Sequence, residues 1–368
     1  NGYGNFEYAP PSGYLALCTQ NLATALSPTI DDGSQYFNTV LYTGNGSSQS
    51  ITGVGFSPDF LWLKERSSTS HHQLFHDADG GVPKFMQSSS TIAEVQNSAV
   101  VSSFDSDGFS VGSSGGSNQS GETYVGWNWY TGASYGSNTD GSITSTVSAN
   151  TTAGFSIVTH TGTGSGSTTV GHGLGKVPAM IIVKDRGQAR SWNVYHQSIG
   201  NNSGVNLNGT GAQSGADSGW WNNTTPTSSV FTLGTYANES SNYVSYCFAE
   251  IEGYSKFGSY TGNGSTDGTF VYTGFRPAWI LRKSSSNAEL WSILDSTRSP
   301  INYAQDVLRA NTSDAEGSAT WSTIDILSNG FKMRATDAST NGSGNTYIYM
   351  CFASNPFVDS NGVPVTAR

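Results

Sequence analysis

The sequence predicts an all-β fold of three tandem β-sandwich units, jelly-roll or concanavalin-like in type. Three observations predict it. Charged residues make up 11% of the 368 and aromatics 12%, too rich in large apolar groups for a disordered polar chain. Gly, Ser, Thr and Asn are heavily used and almost no run has helical spacing, which suits short strands joined by polar turns. The chain also repeats itself three times at intervals of roughly a hundred residues, far above solenoid periods and the size of a small sandwich.

Each copy opens on a turn: Tyr42-Thr43-Gly44, His160-Thr161-Gly162 and Tyr260-Thr261-Gly262. In the first, "TGNG" supplies residues that tolerate φ > 0, as a strand reversal needs. "SITGVGF" (50–56) then alternates Ile51, Gly53 and Gly55 against Thr52, Val54 and Phe56, and reads as a pleated strand with little bulk on one face. A glycine–apolar pair and a proline follow: Gly55-Phe56 and Pro58, Gly173-Leu174 and Pro178, Gly274-Phe275 and Pro277. Proline cannot donate to a ladder, so it marks the passage from one strand to the next.

The runs "DFLWLK", "AMIIVK" and "AWILRK" end at Lys64, Lys184 and Lys283. Such near-continuous apolar runs are expected of central strands buried on both sides. Aromatic-containing strands follow at "HQLFHD", "WNVYHQ" and "WSILDS", and "SFDSDGFSVG" reads as a hairpin with Asp107-Gly108 at its turn. The copies close on "YVGWNW", "YVSYCFA" and "YIYMCFA". This amounts to about seven strands per copy, each copy closing around its own core. The segments are 1–34 outside the repeat, 35–133, 134–254 and 255–358 as the three sandwiches, and a tail at 359–368. Residues 132–152 read as a polar connection. "EIEGYS" is too short for a flexible linker, so the second and third copies should pack together.

A net charge of −10 argues against duplex DNA and anionic membrane surfaces as partners, and no apolar run is long enough to span a bilayer. Cys18, Cys247 and Cys351 form no disulfide framework or zinc spacing; "YCFA" and "MCFA" place two of them as buried free thiols. The cluster His71, His72, His76 and Asp77 could ligate a metal only if its spacing held on one face. The other copies carry Trp192 and Trp291 opposite His72, and His196 and Asp295 opposite His76, so no metal or other cofactor is expected. Acids are too many for any pair to signal glycoside hydrolysis, none recurs at one position in all copies, and no nucleophile elbow, HExxH or phosphate loop occurs. No enzyme activity is expected.

Trp220 and Trp221 differ from the rest, because "DSGWWNNTT" (217–225) is a polar insertion of the second copy alone. Neighbours on a strand point to opposite faces, so both cannot be core. Packing against a neighbouring domain is the first reading of this pair. Ligand binding, by stacking on a sugar ring or anchoring an interface, is the second.

"FEYAPPSGYLALCTQNL" (6–22), followed by "YFNTVLYTGNGSSQSITGVGF", resembles the junction in tailed-phage structural proteins where a SPRY domain ends and tandem repeats begin. "SFDSDGFSVG", "TYVGWNW" and the ending "NPFVDSNGVPVTAR" (355–368) are similar to the same family. The resemblance implies that 1–34 is the end of an upstream SPRY-like unit and that the chain is a virion component: tail fibre, spike or surface appendage. It implies other virion proteins as partners, a homo-oligomer (trimers included), and host surface glycans for an adhesin. A purely architectural shaft or capsid decoration and a polysaccharide-degrading spike are the alternatives. It supplies no catalytic residues.

Overall fold

The computed structural model describes residues 30, 32–70, 72–76, 78, 80–318 and 320–353. The expectations placed on 1–29, Cys18, His71, Asp77 and 355–368 lie outside the described residues.

The chain is all-β, and three stretches of it build the same pair of sheets. The first contains β1 (Phe37–Thr43), β2 (Gln49–Thr52), β3 (Phe60–Glu65), β4 (Gln73–His76) and β5 (Lys84–Met86). It continues through β6 (Val95–Gln96), β7 (Val101–Asp105), β8 (Gly108–Val111) and β9 (Thr123–Trp129). The second contains β10 (Gly136–Asn138), β11 (Ser145–Asn150), β12 (Phe155–Thr161), β13 (Thr168–Gly171) and β14 (Pro178–Asp185). It ends with β15 (Asn193–His196), β16 (Val205–Asn206), β17 (Val230–Leu233) and β18 (Asn242–Ala249). The third contains β19 (Ser255–Thr261), β20 (Phe270–Tyr272), β21 (Pro277–Ser284), β22 (Ser292–Asp295) and β23 (Asp306–Val307). It closes with β24 (Gly317–Ser318), β25 (Ile324–Leu327), β26 (Gly330–Met333) and β27 (Thr346–Ala353).

The main sheets run β1-β9-β3-β4, β12-β18-β14-β15 and β19-β27-β21-β22, all antiparallel. Small sheets β2-β8-β7, β13-β17 and β20-β26-β25 complete the pairs. The three lysines hold one register position: Lys64 opposite Val125, Lys184 opposite Val244 and Lys283 opposite Ile348. Three details correct the sequence reading. Each stretch has nine strands rather than about seven. The strand at "SITGVGF" stops at Thr52, because Gly53 and Gly55 take φ of +89° and +87° and donate to the Asp107 carboxylate. The Ser/Thr-rich connection supplies β10 and β11 to the second main sheet.

Each stretch has an interior of its own: Ile51, Leu61 and Phe109 in the first, Ile181, Phe231 and Tyr243 in the second, Ile280, Phe331 and Tyr347 in the third. The expectation of separate cores is incomplete, however, since a larger cluster is common to all three. It holds Trp62, Trp127 and Trp129 with Ile182, Tyr246 and Phe248, and Trp279, Leu281, Met350 and Phe352. Side chains alternate along β3: Phe60 and Trp62 join the common cluster, Leu61 and Leu63 the local one. That is why "FLWLK" is apolar throughout.

The units close as a ring. Glu94 donates its backbone N–H to the Arg186 carbonyl (2.8 Å), Gln213 to Ser285 (2.8 Å) and Glu316 to Arg66 (2.7 Å), so first joins second, second joins third and third returns to first. Two of these junctions add bidentate ion pairs, Arg186 with Glu94 and Arg66 with Glu316. The position shared by His76, His196 and Asp295 crosses the same three seams. His76 packs edge-on to Tyr246, His196 Nε2 lies 3.1 Å from the Tyr349 carbonyl, and Asp295 accepts the Trp127 indole N–H at 3.0 Å.

The opening turns use one glycine of each pair as the sequence reading expects and the other for close approach. Gly46, Gly164 and Gly264 take positive φ, whereas Gly44, Gly162 and Gly262 do not. A Cβ on the latter three would stand 2.1, 2.0 and 2.4 Å from the carbonyl oxygens of Gln119, Glu239 and Gly342. Buried Asn118, Asn238 and Asn341 hold those crossings, each side-chain oxygen accepting from the turn backbone at 2.9 to 3.1 Å. Gly162→Ala is therefore expected to lower stability by about 1–3 kcal/mol through overpacking against backbone, measured as a shift in the urea midpoint.

Candidate functional site

The insertion of the second unit folds through its own side chains. Asp217 accepts the Gly219 N–H at 2.7 Å, and Asn222 and Asn223 take φ of +51° and +52°, a region Asn tolerates better than most residues. The two adjacent tryptophans go to different places. Trp221 is buried in the second local core, edge-on to Tyr195 at 5.6 Å, with its indole N–H donating to the Ser203 carbonyl at 2.9 Å. It is a packing residue, so its candidacy as a ligand-binding residue is withdrawn.

Trp220 is half-buried and lines a cleft of about 320 Å³ with Arg190, Ser191, Asn193, Asn206 and Tyr236. Two glycines make room for its rings. A Cβ at Gly204 would stand 2.2 Å from the Trp220 ring, and one at Gly219 would stand 2.7 Å from the Tyr236 ring. The rings meet edge to face at 5.5 Å, and Tyr236 remains 49% exposed. The Tyr236 phenol donates to the Asp217 carboxylate; that bond and the Gly219 N–H hold Asp217 below its ordinary pKa. Asn193 donates to the Tyr236 carbonyl at 3.0 Å and accepts from the Asn206 amide at 3.1 Å, and Arg190 pairs with Glu239 at the rim. Rings fixed by packing and a rim of amides, guanidinium and hydroxyl suit a flat, weakly apolar, hydroxyl-rich ligand such as a pyranose. A carboxyl held charged like Asp217 does not fit the proton-donor role in glycoside hydrolysis.

The cleft lies at a defined end of the molecule. Phe37 at the start of β1 stacks on Phe352 near the end of β27, with rings 5.4 Å apart, so the described chain begins and finishes together. Arg190, Ser191 and Asn193 follow Lys184, at the opposite ends of the main strands. The third unit has a smaller cleft of about 220 Å³, where the Arg309 guanidinium covers the Trp321 ring at 4.7 Å.

Sequence reading singled out Trp220 and missed Tyr236, Asn193, Asn206 and Arg190. Their only signal is that "GTYANE" brings a tyrosine to a turn where the other copies have "SGGSNQ" and "DASTNG". Elsewhere, His72 accepts the Trp62 indole N–H at 2.9 Å and His76 pairs with Glu94 at 2.9 Å. Among the described residues no group of three His, Cys, Asp or Glu is arranged to hold a metal ion, and no helix is long and apolar enough to cross a membrane. Cys247 and Cys351 are buried free thiols whose pKa values burial pushes up. His160 and His196 are held neutral by burial, at about 3 and about 4.

A family model described as a domain of unknown function, DUF7483, matches residues 32–356, most of the chain. No curated protein matches it.

Proposed function

The chain belongs to the DUF7483 family, and on that premise we propose that it is a structural protein of a tailed-phage particle, displayed on the exterior and used in attachment to host surface glycans. The sequence resemblance to phage repeat proteins supports the first half. The observation that carries the second is the Trp220–Tyr236 cleft, where two rings fixed by packing meet edge to face beside amides and a guanidinium. The ring of three units supports an exterior role, because short turns between packed strands leave few loops for proteases to cut.

A glycan array of host surface saccharides tests the reading. Wild type is expected to bind, and Trp220→Ala or Tyr236→Ala to bind about two- to tenfold more weakly, as expected when one aromatic contact of ~0.5–1.5 kcal/mol is lost. Trp221→Ala should instead lower the melting temperature. An array on which wild type binds nothing would favour the purely architectural role, as shaft or capsid decoration. Immunogold labelling of intact particles tests exterior display independently.

A further inference from the structure

Eight large apolar residues are exposed among the described residues, and four of them share one face of the third unit. They are Phe270 (44% exposed), Tyr272 (65%), Ile301 (78%) and Tyr303 (61%). Val271 turns into the local core, so its neighbours Phe270 and Tyr272 point outward from β20. The register sets Phe270 beside Lys332 and Lys332 beside Asp325. A bridge between Ala304 and Ile324 brings Tyr303 alongside. The Asn302 side chain pins that segment to both backbone groups of Ile326, at 3.1 and 2.9 Å.

The first unit shows what the same sheet looks like without exposed apolar groups. Its order β2-β8-β7 matches β20-β26-β25, and its outward positions are Ser50, Thr52, Ser110, Ser103 and Asp105. These bond to one another: Ser50 with Ser110 at 2.9 Å, and Ser110 and Ser103 with Asp105 at 2.6 and 2.7 Å. One scaffold therefore carries a self-satisfied polar face in the first unit and an aromatic one in the third.

We propose that this face of the third unit is where two copies of the chain meet, about a twofold axis that lays one outer sheet on the other. The inference goes beyond the attachment reading and does not depend on it. Charge selects the occupant. The chain carries −10 overall, so copies repel over most of their surfaces. On this face, however, Lys332 pairs with Asp267 at 2.5 Å and Arg334 with Asp325 at 2.6 Å. Two cations balance two carboxylates, and a balanced patch meets its own copy without conflict in a twofold contact. Four strands give a patch about 14 Å across, small beside the ~800 Å² per partner of stable complexes. A dissociation constant on the order of 10 µM is expected.

Sedimentation velocity of the full chain, from well below to well above that concentration, tests the proposal. The double variant Phe270→Ser/Tyr272→Thr carries the first unit's own residues at these positions. Ile301→Ser alters a side chain too exposed to support the fold. Wild type is expected to pass from monomer to dimer, and both variants to dimerise at least tenfold more weakly. The dimer should persist in high salt. Wild type monomeric throughout, a dimer that both variants retain, or one that salt dissolves would overturn the proposal. So would a monomeric wild type whose glycan-array signal disappears in the same variants, which would give the face to a sugar. Tyr236→Ala, the attachment variant, should leave the dimer unchanged.

Discussion

Asp295→Ala is expected to destabilise the whole molecule by about 3–5 kcal/mol, the usual cost of stripping one partner from a fully buried ion pair. Neither Asp295 nor Arg298 has any exposed side-chain surface, and they meet at 2.5 Å. Burial alone would lower the Arg298 pKa, yet the charges of Asp295 and Glu316 carry it above its ordinary value. The same guanidinium sits 5.4 Å over the Trp127 ring, and the Asp295 carboxylate accepts the Trp127 indole N–H. The alanine variant thus takes from Arg298 the carboxylate on its Nε, leaving Glu316 as its remaining ion-pair partner, and strips the Trp127 indole of its acceptor at the seam between third and first units. Because that seam closes the ring, urea unfolding should stay a single transition displaced to lower denaturant. Asp295→Leu with Arg298→Met should recover most of the loss, since apolar replacements of buried pairs are often neutral. A loss under ~1 kcal/mol for the single variant would mean that water reaches the pair.

The second large effect is a stability that rises with pH between about 8 and 10. Lys64, Lys184 and Lys283 are buried, and burial pushes each pKa down to about 8. Each ammonium donates to carbonyls near its strand end: Glu65 and Ser313, Asp185 and Gln188, Ser284 and Asn287. In the unfolded chain lysine keeps its proton to about 10.4. Between those values the unfolded state binds more protons, so raising the pH favours the fold, by at most ~1.4 kcal/mol per pH unit per lysine. Above about 10 the sign reverses. Tyr124 and Tyr243 keep their protons to about 12 in the fold, chiefly through burial, while unfolded tyrosines lose theirs near the ordinary 10. Urea midpoints measured from pH 7 to 11 should therefore peak between 9 and 10. Lys184→Met should remove about a third of the rising slope. A flat profile from 8 to 10 would contradict the mechanism.

Much of the fold was legible because strands announce themselves by period and punctuation. Pro178 and Pro277 open β14 and β21, and the three lysines share one register position. What the sequence hides is which partner covers a buried face. Trp62 and Trp279 would read the same whether they met their own small sheet or another unit, and they met another unit. β11 escaped notice because "STVSAN" pairs through backbone bonds that Ser and Thr side chains neither require nor prevent. The site was half legible. Trp220 and Trp221 stood out together, but nothing in "DSGWWNNTT" tells which ring goes inside. Tyr236 could not be linked to Trp220 across an unknown loop.

The ring has a consequence for biosynthesis. The Arg66–Glu316 clamp joins residues 250 positions apart, so it cannot form until the third unit has left the ribosome. Until then the first two units hold Trp127, Trp129 and Phe248 toward a neighbour that does not yet exist. Contacts of such separation are slow to form and leave sticky intermediates in the meantime. The nascent chain is therefore most vulnerable to aggregation just before its third unit emerges, and docking of that unit ends the exposure.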